Sequence, residues 1–186
     1  MRRTIPNILI VGTPGTGKTT LASLIAEKAA FNHINISELS REKNFCDEFD
    51  HQRNCHVLDE DKLLDFLEDD LQVNAGGFVI EYHGCDFFPE RWFDAVFILR
   101  TDNTKLFDRL KARNYSESKI RENVECEIFG VLCDEARDSY KSNVVQPELA
   151  SNTTDDMEKN AETILQWIEM YKLNANSNGT TNELMS

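Results

Sequence analysis

The chain has 186 residues, 40% hydrophobic and 28% charged, which fits one globular domain with its own core and leaves no room for two large ones. Its formal net charge of -13 disfavours extended contact with the phosphate backbone of nucleic acid, and either serves solubility alone, which charge by itself favours, or attracts a basic protein partner. No apolar run approaches the roughly 20 residues that cross a bilayer, and the amino end Met1-Arg2-Arg3-Thr4-Ile5-Pro6-Asn7 has no small-residue cleavage site, so an intracellular protein is expected.

Ile8-Leu9-Ile10-Val11 is an apolar, β-branched run that reads as a buried parallel strand. A glycine loop follows, then a helix marked by Leu21, Leu24, Ile25 and Lys28 that fades near Phe31, then a short strand at His33 to Ile36. Ser37 to Val57 is polar and acidic with scattered aromatics, and reads as a mobile helical insert over a cleft. From Asp59, Leu63, Leu64, Leu67 and Leu71 mark an amphipathic helix closed by Gly76-Gly77. Phe78-Val79-Ile80 and Ala95-Val96-Phe97-Ile98-Leu99 are two further buried strands, and Asp102 caps a helix through Ala112.

After a break at Asn114 to Ser116, Ile120, Val124, Ile128, Val131 and Ala136 predict one long helix to about Tyr140. Val144-Val145 is a candidate last strand, and Met157, Ala161, Ile164, Leu165 and Ile168 stripe a final helix that begins after Thr153-Thr154-Asp155. Residues 174–186 are small, polar and aperiodic, and are expected to be a disordered tail behind a single domain of residues 1–173. Strands alternating with helices predict an α/β fold, a parallel sheet flanked by helices on both faces. The five cysteines, odd in number and irregularly spaced, read as free thiols. Cys46, His51, Cys55 and His56 lack the paired CxxC spacing of structural zinc sites.

Gly12-Thr13-Pro14-Gly15-Thr16-Gly17-Lys18-Thr19 fits GxxxxGK[ST] at every fixed position, between a buried strand and a helix. Such a loop curls its amides around phosphates, so ATP with magnesium is the expected ligand. Lys18 would reach the β- and γ-phosphates, and Thr19 would offer its hydroxyl to Mg2+. A carboxylate at a neighbouring strand end is needed for the same ion, and Glu81 ends Phe78-Val79-Ile80. His83, two residues on, could orient an attacking water or serve only as a structural histidine. Arg109 and Arg113 share a helix face before the break, and Arg41 lies in the insert. Any of the three could neutralise phosphate or sit in a surface ion pair, with Arg113 the leading candidate.

With these residues in view, the chain resembles the adenylate kinase isoenzyme 6 family of coilin-interacting nuclear ATPases, from about Asn7 to Tyr171. The resemblance rests on Gly12 to Thr20, on Leu58-Asp59-Glu60-Asp61, on the block Tyr82-His83-Gly84-Cys85-Asp86-Phe87-Phe88-Pro89-Glu90-Arg91-Trp92 and on Cys126-Glu127-Ile128-Phe129. It implies a P-loop nucleoside monophosphate kinase-like fold, with a monophosphate-binding insert at about 35–58 and a short lid at about 112–122. It places Gly15, Thr16, Gly17, Lys18, Thr19 and Thr20 at the triphosphate, Arg113 in the lid, and Leu39 and Arg41 by the monophosphate.

It further implies phosphorylation of AMP-type substrates, ATP hydrolysis, nuclear and cytoplasmic pools, and a role in late small-ribosomal-subunit maturation and rRNA processing with a basic small-subunit ribosomal protein. An ATP-gated assembly factor with vestigial kinase chemistry is the alternative. A GTP switch is disfavoured, because no NKxD-like segment is present. Three departures stand out: Glu81 in place of aspartate, Ser37-Glu38 in place of glycine and aspartate, and no second lid arginine unless Arg121 or Arg137 substitutes. An arginine-poor lid that admits water would favour hydrolysis over transfer.

Overall fold

A computed structural model describes residues 3–50, 55–73 and 76–183. Its main sheet contains β1 (Ile8–Val11), β2 (Asn32–Asn35), β5 (Phe78–Tyr82), β6 (Ala95–Arg100) and β7 (Leu149–Ala150), in the order β2-β5-β1-β6-β7 and parallel throughout. Between β2 and β5 lie α2 (Ile36–Glu42), the antiparallel hairpin of β3 (Cys46–Asp50) and β4 (Cys55–Leu58), and α3 (Glu60–Glu68). The other helices are α1 (Lys18–Ala29), α4 (Asn103–Ala112), α5 (Glu117–Phe129), α6 (Val131–Ser139) and α7 (Thr154–Glu183).

Alternation along β1 builds the layers, because successive side chains of a strand leave on opposite faces. Ile8 and Ile10 join Leu21 and Ile25 of α1 and Ala161, Ile164 and Ile168 of α7 in one core. Leu9 and Val11 join Leu63 and Leu67 of α3, Trp92, and Ala136 of α6 in the other. All four β1 residues are fully buried, as a strand covered on both faces requires. The sheet order reverses at β1, since the chain reaches β2 and β5 on one side and β6 and β7 on the other. The carboxyl end of β1 is therefore the switch point at which open α/β sheets bind their ligands.

The structure differs from the sequence reading in four places. The second half of the insert is a hairpin rather than a helix: Phe45 closes α2, where its amide donates to the Ser40 carbonyl, and it accepts from the Asp59 amide to start the return. The long helix expected after Ser116 is two, because Gly130 adopts a left-handed φ of 66° that caps α5 and starts α6. That break leaves Ile128 and Val131 exposed instead of on a core stripe. The last strand is Leu149–Ala150, and Val145 makes only an isolated bridge to Val96. Finally, α7 runs on to Glu183, past Leu173 where the apolar stripe ends, since adding a turn to an existing helix costs far less than starting one.

Ile164, fully buried between α1 and the sheet, is a direct probe of this packing. Ile164→Ala should lower unfolding stability by about 2–5 kcal/mol, with an unchanged slope in urea denaturation.

Candidate active site

Side-chain caps stand at the amino ends of α2 (Asn35), α3 (Asp59), α4 (Asp102), α5 (Ser116) and α7 (Thr153, whose hydroxyl accepts from the Asp156 amide). The amino end of α1 has none. Its cap position is Gly17, left-handed at φ 93°, two residues after Gly15 at φ 96°. L side chains are strained in that region, so glycine is what lets the loop turn and direct free amides outward. This uncapped helix end opens on a cleft, and together with the glycine turn it suits an anion.

Lys18 folds back over this loop and donates to the carbonyls of Gly12 at 2.7 Å and Thr13 at 3.2 Å. Most of its surface is covered, and the loop walls it in. That desolvation brings its ammonium down to about 8, with Arg113 pressing the same way and Glu81 and Glu127 opposing. Thr16 is buried and bonds the Thr13 carbonyl at 2.8 Å, so its side chain shapes the loop, while Thr20 is exposed in the cleft.

Glu81, only 2% exposed, receives the Thr19 hydroxyl at 3.0 Å on one oxygen and faces His33 Nε2 at 3.2 Å on the other. His33 Nδ1 in turn meets the Ser23 hydroxyl at 3.3 Å. His33 is a site residue that sequence reasoning missed. The register pairs Asn35 with Glu81 and His33 with Val79, so the side-chain contact is diagonal, and only knowledge of the β2–β5 pairing could have revealed it. Thr19 and Glu81 bring together two oxygen donors, the ligand type that magnesium prefers, so this pair fits the ion.

His83 stands in the cleft with its ring exposed to solvent, but the surrounding walls disfavour its charged form. That desolvation, aided by the nearby charges of Lys18 and Lys119, brings its imidazole down to about 4 and leaves it neutral near pH 7. The aromatic block behind it is mostly packing: Phe88 and Trp92 are buried, and Tyr82 meets Phe87 and Phe88 edge to face.

Two cavities meet on the glycine loop. The first, about 590 Å³, is bounded by Lys18, Thr19, Glu81, His83 and Arg113 and extends to Ser37 and Arg41 of α2. Tyr115, Lys119, Glu122 and Asn123, none of them singled out from sequence, form its lid side. The second, about 530 Å³, lies across Gly15, Gly17 and Arg113 against Arg109, residues 151–154 and Met157. Arg41 is thus in the cleft, whereas Leu39 packs against the core from α2. Arg121 is exposed and pairs with Glu125, and Arg137 pairs with Asp134 and Glu148, so neither extends the cleft. The side chains of Cys46, His51, Cys55 and His56 lie outside the described residues.

Comparison with known proteins follows the same lines. The sequence model of a family described as an AAA domain matches residues 8–130. A Caenorhabditis elegans protein named adenylate kinase isoenzyme 6 homolog is 56% identical over 167 residues, covering 90% of this chain and 91% of its own length. The chain belongs to the adenylate kinase isoenzyme 6 family. Relatives of the same name in Drosophila melanogaster and Saccharomyces cerevisiae are 51% and 41% identical, over 90% and 98% of this chain and 94% and 91% of theirs. Among solved structures, a shikimate kinase from Acinetobacter baumannii in complex with shikimate superposes with a TM-score of 0.61 at 20% identity, over 92% of this chain and 97% of that one. That likeness shows the fold alone. Membership in the adenylate kinase isoenzyme 6 family makes the chain a P-loop kinase-type enzyme.

Arg109 has a different job from the phosphate-neutralising one its position suggests. Its guanidinium donates to the carbonyls of Gly15 at 3.2 Å, Ser151 at 2.9 Å and Asn152 at 3.0 Å, joining the glycine loop to the turn after β7. The Ser151 hydroxyl completes the joint at the Thr16 carbonyl, 2.6 Å away. Arg109→Ala should therefore lower stability by about 2 kcal/mol and raise the KM for nucleotide. Arg109→Lys should rescue little, because a point ammonium cannot span three carbonyls held by a planar fork. Thermal melts and steady-state kinetics check both.

Proposed function

We propose that the protein is an ATP-dependent nucleoside monophosphate kinase that accepts AMP-type monophosphates and also hydrolyses ATP. The observation that carries this reading is the pair of cavities sharing Gly15, Gly17 and Arg113. A simple nucleotide switch needs one such chamber, and a transferase needs two that meet at the phosphate being moved. In this reading the nucleoside of ATP occupies the chamber of Arg109 and Met157, and its phosphates lie over the amino end of α1. Lys18 leaves the Gly12 and Thr13 carbonyls for the β- and γ-phosphates.

The acceptor sits in the chamber of Ser37 and Arg41, where the guanidinium takes two oxygens of its phosphate. An acceptor oxygen attacks the γ-phosphorus as the bond to the bridging oxygen breaks, and Arg113, at the junction, meets the charge spread over the transferred group. Magnesium, held by Thr19 and Glu81, supplies further charge neutralisation when bound. Neutral His83 can accept a hydrogen bond from a water that takes the acceptor's place, which gives hydrolysis. The lid side offers Lys119 and no second free arginine among the described residues, a composition that favours this side reaction.

With ATP and magnesium, adding AMP should raise ADP formation above the ATP-only rate. Arg41→Ala should raise the KM for AMP by about tenfold or more and leave ATP-only hydrolysis near the parent value. No AMP-dependent ADP would rule out the kinase half of the reading. The net charge of -13 favours a second reading in which ATP turnover gates a basic partner, such as a small-subunit ribosomal protein. Capture of that partner should then weaken steeply between low and physiological salt.

A further inference from the structure

Glu127 is a buried carboxylate, 3% exposed, that none of the steps above uses. It sits near the carboxyl end of α5, the helix whose first half gives Lys119, Glu122 and Asn123 to the cleft. One of its oxygens accepts from Arg100 Nε at 2.9 Å and from the Thr101 amide at 2.8 Å. The other accepts from the Thr13 hydroxyl at 2.5 Å, and its own carbonyl takes Arg100 Nη2 at 2.6 Å. The carboxyl end of β6 and the root of α5 are therefore fixed together at one residue, and of its bonds the one to Thr13 reaches the phosphate loop.

Thr13 is joined in two directions. Its side chain, 1% exposed, goes to Glu127, while its carbonyl accepts from Lys18 Nζ at 3.2 Å and from the Thr16 hydroxyl at 2.8 Å. We propose that Glu127 is a positioning residue that ties the glycine loop to the root of α5, so that a nucleotide in the loop sets the position of the lid face of that helix. The proposal rests on the nucleotide-binding reading above. When phosphate draws Lys18 off the Thr13 carbonyl, the hydroxyl bond to Glu127 keeps Thr13 in place, and the loop holds its curl. A helix of 13 residues is a rigid rod of roughly 20 Å, so small shifts at its pinned end become larger ones at Lys119. Lid closure of this kind completes a kinase site and excludes water.

A purely structural role for Glu127 would already be met by Arg100 and Thr101. Thr13→Val separates the two possibilities, because it cuts the loop bond and spares the others, and Thr13→Ser keeps the hydroxyl. The full chain is studied with magnesium and a non-hydrolysable ATP analogue, following amide hydrogen exchange over residues 117–123 beside the KM for ATP. In the parent protein the analogue should slow exchange over that segment. Thr13→Val should lose that protection and raise the KM for ATP by about tenfold, the worth of one buried hydrogen bond to a charged group, and Thr13→Ser should restore both. If Thr13→Val lowers only the melting temperature and keeps the parent KM and protection, the tie is structural and the proposal is overturned. If the parent itself does not bind the analogue, the functional reading fails first and the tie falls with it.

Discussion

The free amino end of α1 is the constraint on which the rest of this molecule depends. Backbone N–H groups left without partners are costly unless water or a ligand meets them. The protein keeps them open by placing Gly17, which has no capping side chain, at the start of α1, and by folding the loop before it through Gly15. Such a loop would not hold its shape alone. Arg109 of α4 and Ser151 in the turn after β7 fix it, and Glu127 holds it through Thr13. Thr16 and Lys18 brace it from within.

Two buried carboxylates surround this loop, and their different surroundings suit different tasks. Glu127 is saturated by an arginine, an amide and a hydroxyl, the arrangement in which a buried charge is tolerated and rigid. Among the described residues Glu81 bonds the Thr19 hydroxyl and the His33 ring, and it opens on the cleft, which leaves it able to serve a cation. His33 on the neighbouring strand meets the second oxygen and orients the side chain.

Much of this architecture is legible in the sequence because it comes from local rules. The glycine loop, β1, β5, β6 and the start of α4 at Asp102 follow from spacing, apolar runs and caps. What escaped depends on contacts between distant segments. The hairpin of β3 and β4 carries Asp47, Glu48 and Asp50 and gives no alternating pattern, and β7 is two residues held by its neighbour. Arg109 serves backbone carbonyls, which leave no mark in sequence. Glu127 did leave a signal: it lies seven residues after Ile120 and three after Val124, on the apolar stripe of α5, where a charge has to be paired. Gly130 likewise interrupts the stripe that was read as one helix.

Binding of ATP with magnesium, measured by titration calorimetry on the parent protein and on Lys18→Ala, tests the central claim most directly. The account predicts saturable heat for the parent and an affinity weaker by about tenfold or more for the variant, since Lys18 supplies a charged hydrogen bond to the phosphates. A folded parent protein that takes up no ATP, or a variant that binds it equally well, would contradict the account.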